Sequence, residues 1–114
     1  MSTQWVTLKS IKTAEVSRIT SGVTALKADL KDYALAHSGL FLIYGSIARS
    51  DYRFHSDVDV LVDFPAESTS KAWRFCEDAC RKYGLVPDVR PKVLCSAQFL
   101  QRIDAGRTEA CGER

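Results

Sequence analysis

Residues 42–62 read LIYGSIARSDYRFHSDVDVLV and contain a tight turn between two predicted strands, the second of which carries an acidic repeat. The apolar run Leu40 to Tyr44 is stopped by Gly-Ser, the pattern of a buried strand that enters a turn. From Asp57 to Phe64 acidic and apolar residues alternate, which predicts a strand with one apolar and one acidic face. Two strands joined through a Gly-Ser turn therefore form the centre of the predicted fold.

The Gly-Ser turn is a candidate phosphate-binding element. Ile47, Ala48 and Arg49 suit a brief helix, which would place Ser46 at its N-cap. The first N–H groups of a helix have no intrahelical partners, and together with the helix dipole they attract phosphate. Gly45 would let the backbone approach a triphosphate closely, and the Ser46 hydroxyl would add a donor.

Asp57 and Asp59 form a candidate metal site. Carboxylates at i and i+2 on a strand point the same way and repel each other unless a cation lies between them. Magnesium is a hard ion that accepts one or two carboxylates together with substrate phosphates. An acidic pair on a half-exposed strand is more commonly a solvated face, and the Gly-Ser turn, the ten-residue spacing and the preceding Ser56 are what favour a metal site here.

Gly45-Ser46, ten intervening residues and Asp57-Val58-Asp59 together resemble the signature of the DNA polymerase beta nucleotidyltransferase superfamily. In its short length and in the segment Gly-Ser-Ile-Ala-Arg, the chain resembles the minimal nucleotidyltransferases. These are small prokaryotic proteins often paired as antitoxins with a HEPN-domain toxin. The resemblance implies transfer of a nucleoside monophosphate, AMP from ATP, to a hydroxyl acceptor, with two Mg²⁺ ions held by Asp57, Asp59 and a third carboxylate.

That third carboxylate is expected on a later strand, and Asp88 in the run Leu85-Val86-Pro87-Asp88-Val89 is the candidate. The resemblance implies that it ligates metal and can also receive the acceptor's proton. The alternative is that Asp88 merely follows a proline in a turn. Because Pro87 cannot donate a ladder hydrogen bond, this strand is expected at a sheet edge or at a bulge.

The resemblance further implies that Gly45, Ser46, Arg49 and Ser56 bind the nucleotide. Arg49 could neutralise phosphate charge, and an ion pair with a nearby acid is an equal alternative. The family's usual glycine after Ala-Arg is replaced here by Ser50, which predicts a strained or differently shaped loop if that position needs positive φ.

The order of the predicted elements indicates an α/β fold, a polymerase-beta-type nucleotidyltransferase core with a small mixed sheet and helices packed on one face. We predict a single domain over 1–114, with an N-terminal amphipathic helix at about 13–37, a catalytic core at about 40–104 and a polar tail at 107–114. A second helix is expected through Trp73 to Tyr83, a short strand from Lys92 to Cys95, and a helix capped by Ser96 that stops near Gly106.

Composition favours an ordinary cytoplasmic domain. The chain has 114 residues, 46% of them hydrophobic, with no run long enough to span a membrane and no secretion signal. Its four cysteines form no CxxC, so we expect reduced thiols, with Cys76 and Cys80 in the core. A net charge of +2 does not predict direct nucleic-acid binding.

Few residues follow Asp88, so the acceptor is expected to be recognised by a partner protein. By the resemblance, the enzyme would adenylylate a tyrosine of a HEPN toxin and silence it. Two alternatives are open: a non-catalytic antitoxin or assembly subunit that neutralises its partner by binding alone, and an adenylyltransferase acting on an antibiotic or another small molecule.

Overall fold

The computed structural model describes residues 8–45, 47–48, 57–106 and 108–112. These residues form helices and strands in alternation, which confirms the predicted α/β class with a small mixed sheet. The helices are α1 (Leu8–Ala36), α2 (Thr69–Lys82) and α3 (Ala97–Ala105), and the strands are β1 (Leu40–Tyr44), β2 (Asp57–Asp63), β3 (Val86–Pro91) and β4 (Glu109–Gly112). Short 3₁₀ helices at Ala66–Ser68 and Lys92–Leu94 precede α2 and follow β3.

The strands lie in the order β3-β2-β1-β4. β1 is antiparallel to both β2 and β4, whereas β2 and β3 are parallel and are joined by the crossover helix α2. Among the described residues β3 is thus an edge strand, which confirms the position predicted from Pro87.

One face of the sheet is covered by α1 and α2. Four apolar residues of α1 that recur at steps of three and four are almost completely buried, as the periodicity predicts, although α1 starts earlier than expected. They pack against the side chains of β1 and β2 that point to the same face; the set is Ile19, Val23, Leu26, Leu30, Phe41, Ile43, Val58 and Val60. This core fixes which face of β2 presents its carboxylates to solvent.

Cys76 and Cys80 of α2 belong to this core, as predicted. They are free thiols one helical turn apart. The neighbouring Cys80 side chain and burial raise the pKa of the Cys76 thiol, so it packs as a small apolar group. Trp73 and Tyr83 pack against the same cluster from the two ends of α2.

The third helix lies on the opposite face of the sheet, the one that bears the acids, whereas helices were expected on one face only. Ile103 of α3 is buried there together with Leu40 and Leu61. Between them is a cavity of about 210 Å³ that Leu42 and Leu100 also line. The N-terminus of α3 is capped as predicted, because the Ser96 hydroxyl accepts a hydrogen bond of 3.1 Å from the backbone N–H of Phe99.

The strand predicted from Lys92 to Cys95 is wrong. Pro91 ends β3, and the chain turns into a 3₁₀ helix in which the N–H of Cys95 donates to the carbonyl of Lys92 at 3.0 Å. Apolar residues suggested a strand, but Val93 and Leu94 remain 82% and 77% exposed. Their apolar character therefore reflects the surface of the protein and not its core.

The polar tail predicted over 107–114 is also wrong for Glu109–Gly112. This segment forms β4 and pairs with the free edge of β1, from Leu40↔Gly112 to Ile43↔Glu109. Cys111 turns inward and is 4% exposed, and Glu109 forms an ion pair with Lys27 of α1. A single inward apolar side chain in a polar segment is a weak signal for a strand. β4 forms because β1 offers it an edge to pair with, and the local sequence does not reveal that edge.

No helix among residues 8–45, 57–106 or the shorter described pieces is long and apolar enough to cross a membrane.

Candidate active site

Tyr44, Asp59 and Asp88 lie side by side on β1, β2 and β3, and we call this set the acid row. Asp59 of β2 is paired in register with Tyr44 of β1 on one side and with Asp88 of β3 on the other. Residues directly opposite each other in neighbouring strands present their side chains to the same face. The fold therefore brings together two predicted catalytic carboxylates that are separated by a whole helix in the sequence.

Asp59 and Asp88 are direct neighbours in the register of β2 and β3, so the fold places the predicted third acid beside the second. Asp57 lies two residues before Asp59 on the same face of β2 and is exposed at the start of the strand. Its charge acts on Asp59 across that spacing.

The electrostatics of the row reflect this crowding. Burial raises the pKa of Asp59 to about 6, helped by the hydrogen bond and negative charge of Asp88 and by the charge of Asp57, while Arg90 opposes the shift. Burial likewise raises the pKa of Tyr44 to about 12, with Asp59 the next cause. Negative charge is thus concentrated where a cation would relieve the repulsion.

Gly45 provides the space in which the Asp59 carboxylate sits. Its φ is +77°, a conformation that residues with a side chain rarely adopt. A Cβ built on Gly45 would collide with Oδ2 of Asp59. The glycine was expected to admit a triphosphate, and in addition it is required for the acid and the turn to approach each other.

Arg90 and Phe99 border the row and were not predicted from the sequence. Nε of Arg90 lies 3.7 Å from Oδ1 of Asp88, and its guanidinium carbon lies 5.1 Å from the centre of the Phe99 ring. The Phe99 ring also meets Tyr44 edge-on, with 5.9 Å between ring centres. The i+2 spacing from Asp88 could have identified Arg90, whereas Phe99 approaches only because α3 crosses the acidic face.

Asp63 lies further along the acidic face of β2 but has a different environment. Its Oδ2 accepts a hydrogen bond from Nζ of Lys92 at 3.4 Å. It is therefore paired with Lys92 and serves as a reference for Asp59, which lies on the same strand and face.

Ser46, Arg49 and Ser56, the other predicted nucleotide ligands, lie outside the described residues, as does Ser50. Ile47 and Ala48 form part of a turn and are 1% and 7% exposed. The brief helix expected from Ile47 and the cap at Ser46 therefore stay predictions.

The described acids fit a divalent cation by their chemistry, since carboxylates are hard oxygen ligands and Asp59 and Asp88 lie next to each other on neighbouring strands. Asp59 and Asp88 supply two such groups, and Asp57 is the nearest third. Within the part of the chain that the structure describes, no three Asp, Glu, His or Cys side chains are spaced closely enough to enclose a metal ion. Two carboxylates together with substrate phosphates are a ligand set that magnesium accepts.

The mixed sheet of four strands is consistent with a nucleotidyltransferase core. The family described as nucleotidyltransferase domain matches residues 23–110, and the chain belongs to this polymerase-beta-type family. Membership of this family supports a transferase activity, and the family generally uses a nucleoside triphosphate and a divalent metal. Comparisons with curated proteins and with solved structures gave no significant match.

Proposed function

We propose that the protein is a magnesium-dependent nucleotidyltransferase that moves AMP from ATP to a hydroxyl acceptor. The observation that carries the proposal is the pairing of Asp59 with Asp88 in neighbouring strands beside the Gly45 turn, in a chain of the nucleotidyltransferase family. The whole chain would act as one cytoplasmic domain.

The acids would have distinct roles. Asp57, Asp59 and Asp88 would hold Mg²⁺, which when bound neutralises phosphate charge and lowers the pKa of the acceptor hydroxyl. Asp88 would take the acceptor's proton, the acceptor oxygen would bond to the α-phosphorus, and the bond to pyrophosphate would break. Gly45, Ser46, Arg49 and Ser56 would bind the nucleotide, with backbone donors of the turn on the departing pyrophosphate.

For the acceptor we propose a tyrosine of a HEPN-domain toxin, which makes the enzyme an antitoxin of the minimal nucleotidyltransferase type. The support is the Gly-Ser-Ile-Ala-Arg segment and its spacing to Asp57 and Asp59, both of which resemble that subgroup.

The test combines the purified protein and its candidate partner with labelled ATP and magnesium. We expect label on a partner tyrosine, and we expect Asp59→Asn to abolish it. Asp63→Asn is the matched control, because it neutralises an acid on the same strand and face that is already paired with Lys92. Equal loss in both variants, or transfer only to some other acceptor, would refute this assignment.

A second candidate function is neutralisation of the partner by binding alone. It is favoured by one observation, that no three acids among the described residues are spaced closely enough to enclose a metal ion. The variant with both Asp57→Asn and Asp59→Asn separates the two functions: a binding antitoxin would still neutralise its partner, whereas an enzyme would not.

A further inference from the structure

An open groove lies beside the acid row, between α2, the end of β3 and α3. We define it as the arginine groove, lined by Trp73, Arg90, Leu94, Phe99 and Arg102, with a volume of about 420 Å³. That volume is within the usual range of about 300–1,000 Å³ for ligand-binding clefts.

The lining of the groove combines apolar surface with positive charge. Leu94 is 77% exposed, and the adjacent Val93 is 82% exposed, so this turn presents two large apolar side chains to solvent. Arg90 and Arg102 add two guanidinium groups, and none of the described residues that line the groove is acidic. Tryptophan and arginine around an apolar centre are typical of energetically important positions in protein interfaces.

The groove adjoins the acid row, at which the chemistry is predicted. Arg90 is ion-paired to Asp88, and Phe99 contacts Tyr44, the cross-strand neighbour of Asp59. A molecule in the groove would therefore contact residues that touch the acid row.

Resting on the proposed function, we propose that the arginine groove docks the acceptor and that the acceptor is an acidic segment of a protein. A leucine or similar side chain of that segment would cover Leu94 and Phe99. Carboxylates of the segment would pair with Arg90 and Arg102. A neighbouring tyrosine of the segment would then lie beside Asp88. Nucleic-acid interfaces are more polar and more strongly cationic than this apolar, two-arginine surface, so charge and apolar area together favour protein.

The proposal is tested by titrating the isotope-labelled full chain, without ATP or metal, with a synthetic acidic peptide in which one tyrosine is flanked by leucine and glutamate. We expect amide shifts concentrated at residues of the groove. The same peptide with lysine for glutamate is expected to bind about tenfold more weakly, since charge pairing in the groove becomes repulsion.

Leu94→Glu and Arg102→Glu should each weaken binding about tenfold, because both remove a groove contact and add a repelling charge. Matched controls are Leu35→Glu, which alters an exposed leucine outside the groove, and Arg81→Glu, which reverses an exposed arginine paired with Asp78. The controls should bind as the wild type does. Since Leu94 and Leu35 are both exposed, neither change requires the core to repack.

Shifts outside the groove, equal effects in variants and controls, no binding of the acidic peptide, or preferential binding of a single-stranded RNA oligonucleotide would each overturn the proposal. Transfer is measured separately, with ATP and magnesium added. Peptide binding in the groove without transfer would refute the enzymatic function and leave the docking site intact, whereas transfer that Leu94→Glu does not impair would refute the docking site alone.

Discussion

At the scale of the residue, Gly45 and Asp59 depend on each other. The positive φ of Gly45 lets the chain turn, and its missing side chain leaves the volume that the Asp59 carboxylate fills. The sequence motif places these residues far apart along the chain, yet they are in contact in the fold. A change at either one is therefore expected to affect both the turn and the acid row.

Gly45→Ala should reduce nucleotidyl transfer and lower the melting temperature. Forcing a residue with a Cβ into the left-handed region costs about 1–2 kcal/mol, and the new methyl group would also displace Asp59. Gly106→Ala is the matched control, because Gly106 has a φ of −94° and the nearest atom to an added Cβ is 3.6 Å away. Similar losses in the two variants would contradict this account.

Asp59 should make stability fall as the pH rises in the absence of metal. Its pKa is raised from 3.8 in the unfolded chain to about 6 in the fold, so the folded state binds more protons between these values. This contribution is complete below about pH 4 and is lost as the pH passes through about 6. Thermal melts in a chelator across this range should show the decline in the wild type and in Asp63→Asn but not in Asp59→Asn.

At the scale of the element, β4 is a strand that its own local sequence does not predict. The pattern around β1 and β2 defined both strands, because apolar residues and acids alternate there with the period of a strand. The segment 109–112 has one buried side chain, Cys111, and its pairing is determined by β1 and α1. Similarly, the apolar character of Val93 and Leu94 reflects exposed surface, which a sequence pattern cannot distinguish from a buried strand.

Cys111→Asp should destabilise the fold by more than about 2 kcal/mol, because it places a carboxylate at a position that is 4% exposed within the apolar core. Ala110→Asp introduces the same charge one residue earlier, where the side chain is exposed, and should change stability little. Urea denaturation of both variants measures the difference. Equal stabilities would mean that β4 does not contribute to the folded sheet.

At the scale of the whole molecule, the fold brings the candidate site residues together from distant segments. The acids Asp57 and Asp59 could be predicted because their spacing is local, and Asp88 because the family implies a third carboxylate. The register that joins Asp59 to Asp88 depends on the crossover through α2 and on Pro87 at the edge. The approach of Phe99 depends on α3 crossing the acidic face, which no local pattern encodes.

Magnesium should stabilise the wild-type protein as a whole, because a ligand that binds only the folded state shifts the unfolding equilibrium. At about one hundred times its dissociation constant the gain is about 2.7 kcal/mol. Asp59→Asn should lose most of this gain, and Asp63→Asn should keep it. A melting temperature that rises equally with magnesium in both variants would exclude the acid row as the binding site.

The two prolines of β3 have a consequence for association. Pro87 and Pro91 lie four residues apart on the outermost strand, and neither has an N–H to offer an incoming backbone. An exposed edge that lacks donors at these points is a poor template for growth of the sheet into fibrils. Even at high protein concentration, this sheet edge should resist strand-by-strand polymerisation. A binding partner at this edge must be recognised through side chains.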